Sequence, residues 1–226
     1  KGLGGLVHLS GPEISFNNLL DFDSAMNTLA GFTRPTVAVL KHTNPCGLAT
    51  RDSLTDAYTL ALSGDPVAAF GGVVASNRPI DLKTAQEIDK THYDAVIAPD
   101  FDEGAVQLLS QKKSLRIVKA PFPEQEDDAL EFRHVRGGFL VQNRDVVGDD
   151  ELSPKTTSQR EPTQQELEDL RFAWRAVKAI KSNAIVLAKD SVLVGMGAGQ
   201  PSRVESVAIA IRKAGERASG SVLASD

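Results

Sequence analysis

At 226 residues the chain has room for one large domain or two modest ones, and enough length to bury a substantial core. Its formal charge of −5 argues against a general nucleic-acid binder, which carries a basic face. A single cysteine excludes an internal disulfide framework, and no apolar run approaches the roughly 18 residues of a membrane span. The lone cysteine fits a reducing compartment, so the chain reads as cytoplasmic, and no secretory leader is visible. It starts at Lys1 and stops at Ala224-Ser225-Asp226 with no obvious terminal element, and so reads as a piece of something longer.

In chain order, residues 1–20 are glycine-rich and then mixed, with Asn17 and Asn18 marking a turn. Asp23 is placed to cap a short helix through Ala30, ended by Gly31. The β-branched run 36–40 predicts a buried strand. Pro45 and Gly47 end it, leaving Lys41-His42-Thr43-Asn44-Pro45-Cys46-Gly47 as a loop. Ser53 with Asp56 resembles a capping box for a helix that Gly64-Asp65-Pro66 stops. Residues 67–76 form a second apolar run, in which Gly71-Gly72 predicts a bulge or a close backbone approach. Asp81 caps a helix to about His92, 95–98 is a strand closed by Pro99, Asp102 starts a helix to Lys113, and 115–118 is a further strand. Strands alternating with helices predict a layered α/β domain.

Pro121, Pro123 and the acidic Glu124, Glu126, Asp127 and Asp128 shift the composition, and the boundary between two subdomains is placed there, at 1–125 and 126–226. Beyond it, 131–135 and 139–147 read as strands around Gly137-Gly138, and 148–161 as an exposed loop. Thr163 and Glu166 form a capping box for a helix to about 181, with Leu167, Leu170, Trp174, Val177 and Lys181 toward a sheet. Two strands, 184–189 and 192–196, turn at Asp190-Ser191, and a last helix runs from Ser202 to about Ala218.

Four clusters carry chemistry. A lysine stabilises developing negative charge and a histidine moves a proton near neutral pH, so Lys41-His42 reads either as a reacting pair or as a surface lysine beside a hydrogen-bonded histidine. Cys46 reads as a thiol nucleophile with His42 or His92 as base, or as a small buried hydrophobe. The glycines of 195–199 with Gln200, Ser202 and Arg203 read as an anion site at a helix start, or as a turn feeding that helix. A dinucleotide fingerprint does not fit, because the third glycine comes one residue early. Asn183 is a helix cap or a ligand donor, and Asp94 caps a turn or accepts from a substrate. A zinc deaminase needs His-x-Glu and Pro-Cys-x-x-Cys motifs, and the chain has neither.

Five motifs occur in order: 41–47, Ala69-Phe70-Gly71-Gly72, Asp94-Ala95-Val96-Ile97-Ala98-Pro99, Lys181-Ser182-Asn183-Ala184 and the segment 195–203. Together they resemble the AICAR transformylase family, whose members are joined to an IMP cyclohydrolase domain in a bifunctional purine biosynthesis protein. The resemblance implies an α/β/α fold of two cytidine-deaminase-like subdomains without zinc, the second incomplete here. It implies formyl transfer from 10-formyltetrahydrofolate to the 5-amino group of AICAR, with no catalytic metal, in a homodimer with sites at the interface. By that resemblance His42 accepts the proton and Lys41 stabilises charge or assists the departing folate nitrogen. Gly71, Asp94, Asn183 and Arg203 match AICAR-contacting positions, and Val204 a folate-contacting backbone position. The family's Arg-Tyr-Gly-x-Asn-Pro-His-Gln segment and its continuation Ala-Phe-Phe-Pro-Phe are absent, so this fragment alone is expected to have little or no transformylase activity.

Overall fold

The computed structural model of the chain describes residues 2–122, 130–148 and 153–226. Its first half runs β1 (Val7–Ser10), α1 (Phe16–Leu29), β2 (Thr36–Lys41), β3 (Asn44–Thr50), α2 (Leu54–Gly64) and α3 (Pro66–Ala69). Then come β4 (Val73–Ser76), α4 (Leu82–Asp89), β5 (Ala95–Ala98), α5 (Glu103–Leu109) and β6 (Arg116–Lys119). A hairpin follows, β7 (Leu130–Val135) with β8 (Gly138–Asn143). The chain closes with α6 (Gln164–Lys178), β9 (Ile185–Lys189), β10 (Val192–Gly197), α7 (Arg203–Ala214) and β11 (Val222–Ser225).

Nine strands form one mixed sheet in the order β1-β6-β5-β4-β2-β3-β10-β9-β11. The inner strands such as β2, β4 and β5 are buried on both faces because helices cover both, whereas β1 at one edge is exposed. Val37, Val39 and Val74 share a core with Ala57 and Tyr58 of α2, Ile88 of α4, Leu109 of α5 and Ala210 of α7. Their neighbours Ala38, Leu40 and Val73 share the opposite core with Phe22 and Leu29 of α1 and Phe172 and Ala176 of α6. This period-two partition gives the expected α/β/α layering. The β7–β8 hairpin pairs with no strand of the large sheet and leaves Phe132 and Phe139 exposed.

Several expectations are corrected. The helix α1 begins at Phe16, not Asp23, because Ser15 caps it and Asn18 reciprocates from within the first turn. Asn17 and Asn18 therefore lie in a helix. The loop expected at 41–47 is a hairpin, with Lys41 paired to Asn44 and the chain returning as β3. Pro45 is tolerated there because the register shifts at Val39/Leu40, and a bulge spares the ladder the N–H that proline lacks. Residues 66–69 are helical with Asp65 as cap, so only 73–76 of the second apolar run is strand. The helices α4, α5 and α7 and the strand β8 are each shorter than expected.

The stripe expected to bury α6 is displaced. Trp174 is 46 % exposed, and the buried face is Asp169, Phe172, Ala173, Ala176 and Val177. The alanines let the helix approach the sheet, and the buried Asp169 carboxylate accepts from the backbone N–H groups of Asp190 (2.9 Å) and Ser191 (2.7 Å). Those two residues form the β9–β10 turn with φ of 51° and 53°. The terminal strand β11 was not expected, since four residues at a sheet edge carry too short a pattern to read. The acidic run at 124–128 lies outside the described residues.

Candidate active site

The strand directions bring every expected site residue to one rim of the sheet. The strand β2 ends there at Lys41, while β4 and β5 begin there at Val73 and Ala95. On the far side of β3, β10 ends there at Gly197, β9 begins there and β11 ends there. With strands about 4.8 Å apart, Asp94 before β5 and Asn183 before β9 are separated by five spacings, about 24 Å. The rim therefore carries two clusters.

The first is organised by the turn His42-Thr43. Both residues have positive φ, 54° and 63°, the pattern of a two-residue hairpin turn that favours Asn-Gly. Holding non-glycine residues there costs roughly 1–2 kcal/mol per residue, and a β-branched threonine is an uncommon occupant. Local bonds offset part of this: Thr43 Oγ1 (2.7 Å) and Asn44 Nδ2 (2.9 Å) both donate to the His42 carbonyl. Bonds from α1 add to it, with the Thr43 N–H donating to Asp21 Oδ1 (2.7 Å) and Ser24 Oγ donating to the Thr43 carbonyl (2.7 Å).

Lys41 Nζ donates to the Phe70 carbonyl at 2.6 Å, so the ammonium is fixed beside Gly71. A Cβ added to Gly71 would lie 4.0 Å from that nitrogen, and its φ of +70° suits glycine. A Cβ on Gly72 would meet the Leu40 carbonyl oxygen at 2.5 Å, which is the close backbone approach expected from the glycine pair. The Gly71 N–H donates to the His92 carbonyl and the Asp94 N–H to the Gly72 carbonyl. Among the described residues, nothing pairs with the His42 imidazole or the Asp94 carboxylate.

Lys41, His42, Gly71 and Asp94 all line one open cavity of about 230 Å³. Gly72 and Val73 line it too, as do Ser15, Asn17, Asn18, Asp21 and Arg116, and sequence reasoning assigned none of these last five to the site. The Ser15-x-x-Asn18 capping pattern was the available signal, since it places the start of α1. Arg116 Nε donates to the Glu13 carbonyl at 2.9 Å, tying the chain before α1 to the start of β6.

The second cluster is engaged with its own chain. Asn183 Nδ2 donates to the carbonyls of Gln200 (2.7 Å) and Pro201 (3.1 Å), which pins the loop before α7. Arg203 Nη1 donates to Ser225 Oγ (2.6 Å) and Asp226 Oδ1 (2.5 Å). Bonds from the Ser182 hydroxyl, the Ala184 N–H and Arg203 hold the Asp226 carboxyl down at about 2. Val204 is exposed on the first turn of α7. The anion-site reading of the glycines needs correction at two positions. A Cβ on Gly195 would meet the Ala210 carbonyl oxygen at 2.3 Å, and one on Gly197 the Ser206 carbonyl oxygen at 2.0 Å. These glycines let α7 lie against β10.

Cys46 is buried in β3, where its Sγ contacts the Val39 carbonyl at 3.3 Å. Burial, and then the charge of Asp65, push its thiol up to about 12, so it supplies no thiolate at neutral pH. The packing reading holds. Among the described residues, no three His, Cys, Asp or Glu side chains converge as a metal site, and no helix is long and apolar enough to cross a membrane.

A family model described as AICARFT/IMPCHase bienzyme matches residues 1–213. The chain belongs to this family. As a member of the AICARFT/IMPCHase family it is 48 % identical over 225 residues to the bifunctional purine biosynthesis protein PurH of Thermoanaerobacter sp. (strain X514), covering 100 % of this chain and 44 % of that protein. The PurH proteins of Bacillus cereus (strain B4264) and Bacillus thuringiensis (strain Al Hakam) are 45 % and 44 % identical over 218 residues, 96 % of this chain and 43 % of each. The chain thus spans less than half the length of these relatives.

Proposed function

We propose that this chain is the catalytic part of a folate-dependent formyltransferase of purine biosynthesis. It moves the formyl group of 10-formyltetrahydrofolate to the 5-amino group of AICAR, in a longer protein that also carries IMP cyclohydrolase activity. The observation that carries the reading is the family match over 1–213 together with Lys41, His42, Gly71 and Asp94 around one cavity.

The AICAR amine is conjugated with an electron-withdrawing carboxamide system and is a poor nucleophile. It needs to lose a proton as its nitrogen bonds the formyl carbon. His42 accepts that proton, helped by the substrate's carboxamide. As the bond from the formyl carbon to the folate nitrogen breaks, Lys41 stabilises the charge or assists that departure. Gly71 and Asp94 hold the nucleotide from one cluster, and Asn183 and Arg203 hold it from the other, with the Val204 backbone meeting folate.

A separation of about 24 Å between Asp94 and Asn183 exceeds what one mononucleotide bridges. That favours a homodimer whose sites combine the two clusters from different copies. The same reading divides the chain at 1–125 and 126–226 into zinc-free deaminase-like subdomains, the second incomplete, in a cytoplasmic protein. It leaves the 226-residue chain with little or no turnover by itself.

The test is calorimetry with AICAR and then a folate analogue, together with formyl transfer by a protein of the relatives' full length that carries this sequence. Folate binding that depends on bound AICAR, with transfer abolished by His42→Ala, is the expected result. Nucleotide binding with no folate site would replace the enzyme by a binding module.

A further inference from the structure

We propose that Asp21 and Ser24 of α1 are positioning residues that set the His42 imidazole for proton transfer, an inference that rests on the function proposed above. They act by gripping the residue that follows His42 on both of its backbone polar groups. Asp21 takes the Thr43 N–H and Ser24 gives its hydroxyl proton to the Thr43 carbonyl, each at 2.7 Å.

Three observations converge. The first is the conformation of the turn: neither His42 nor Thr43 is glycine, yet both sit in the left-handed region. Such backbone persists only where the surroundings over-determine it, and it concentrates at functional sites. The second is where the restraint comes from. The bonds of Thr43 Oγ1 and Asn44 Nδ2 lie inside the turn and move with it, whereas Asp21 and Ser24 belong to a separate, anchored element. Three residues apart, they share one face of α1. That helix is fixed by its capping box at Ser15 and Asn18 and by the buried Phe22 and Ala25, each the residue after a gripping side chain. The third is location, since Asp21 lines the same cavity as Lys41 and His42. Asp21 is thus a carboxylate committed to backbone geometry at the wall of the site. Releasing it frees the turn to relax toward right-handed backbone and carries the imidazole away from the rim.

The inference is tested in a full-length protein carrying this sequence and, independently, in the 226-residue chain. In the first, Asp21→Ala and Ser24→Ala lower kcat for formyl transfer, Asp21→Ala by about a hundredfold, the loss that misplacement by about an ångström brings. AICAR affinity and KM stay within about threefold. Asp21→Asn keeps an oxygen that accepts the Thr43 N–H and recovers most of the rate. A kcat within twofold of wild type in Asp21→Ala overturns the proposal. So does a loss matched by equal loss of AICAR-binding sites, which marks a merely structural role.

In the 226-residue chain, imidazole NMR reads the clamp without activity. Of the four histidines, only the His42 resonances move in Asp21→Ala, and those of His8, His92 and His134 stay in place. An unmoved His42 overturns the clamp. Absence of transfer in the wild-type full-length protein, with a moved His42, removes the proposed function and leaves the clamp standing.

Discussion

The two polar clusters on the rim of the sheet are built by opposite means. At the end of β2, α1 holds the turn and the Phe70 carbonyl holds the Lys41 ammonium, while the His42 imidazole and the Asp94 carboxylate find no partner among the described residues. Beside β9 and β10, the functional atoms themselves are engaged: Asn183 pins a loop and Arg203 grips Ser225 and Asp226. A group held in place with its reactive atom unengaged is available for chemistry at no further cost. A group already paired must exchange one partner for another when a ligand binds.

The sharpest way to break this comparison is to truncate one residue from each cluster. In a full-length protein carrying this sequence, His42→Ala should cost about 10²–10⁴ in formyl transfer while AICAR still binds. Arg203→Ala should weaken AICAR binding by about tenfold to a hundredfold, the range for a lost charge-assisted bond, with kcat less affected. A larger loss of kcat at Arg203 than at His42, measured by steady-state kinetics, would invert the assignment.

Stability sharpens it further. Asp169 is buried and serves two N–H groups of the β9–β10 turn, so Asp169→Ala should lower unfolding stability by about 2–3 kcal/mol in urea titrations. Asp226 predicts a pH effect confined to the second cluster. Its carboxyl is held at about 2 in the folded chain against an ordinary 3.8. The folded value is the lower one, so the contribution is complete above 3.8 and is lost as the pH falls toward 2. Between those values the urea midpoint of the wild type should fall more than that of Asp226→Asn. The smallest expected change is Thr163→Ala, which removes one helix cap of α6 and should cost about 1 kcal/mol.

Much of the fold was legible because its signals are local. Caps at Ser53, Asp81 and Thr163 fall where the sequence places them, and the turn at Asp190-Ser191 separates two strands as read. Readings failed where tertiary context outweighs the local pattern. Pro45 reads as a strand breaker until a bulge accommodates it, and Trp174 reads as core until Ala173 and Ala176 bring the other face of α6 to the sheet. At the site, Lys41, His42, Gly71 and Asp94 were legible as motif residues and meet in space. Asp21, Ser24 and Arg116 were not, because their contribution depends on chain folded back from 19 or more residues away. The glycines of 195–199 read either as an anion site or as a turn feeding α7, and at 195 and 197 they serve the packing of α7 against β10, a contact no spacing rule reveals.

The buried sulfur of Cys46 has a practical consequence. As the lone thiol of the chain, and one that stays protonated until strongly alkaline pH, it is silent toward thiol-directed labels while the protein is folded. A single cysteine introduced anywhere on the surface can therefore carry a fluorophore or spin label with no background to remove. Pairs of such probes, one beside His42 and one beside Arg203, would measure how far apart the two ends of the rim stand within one chain and between two.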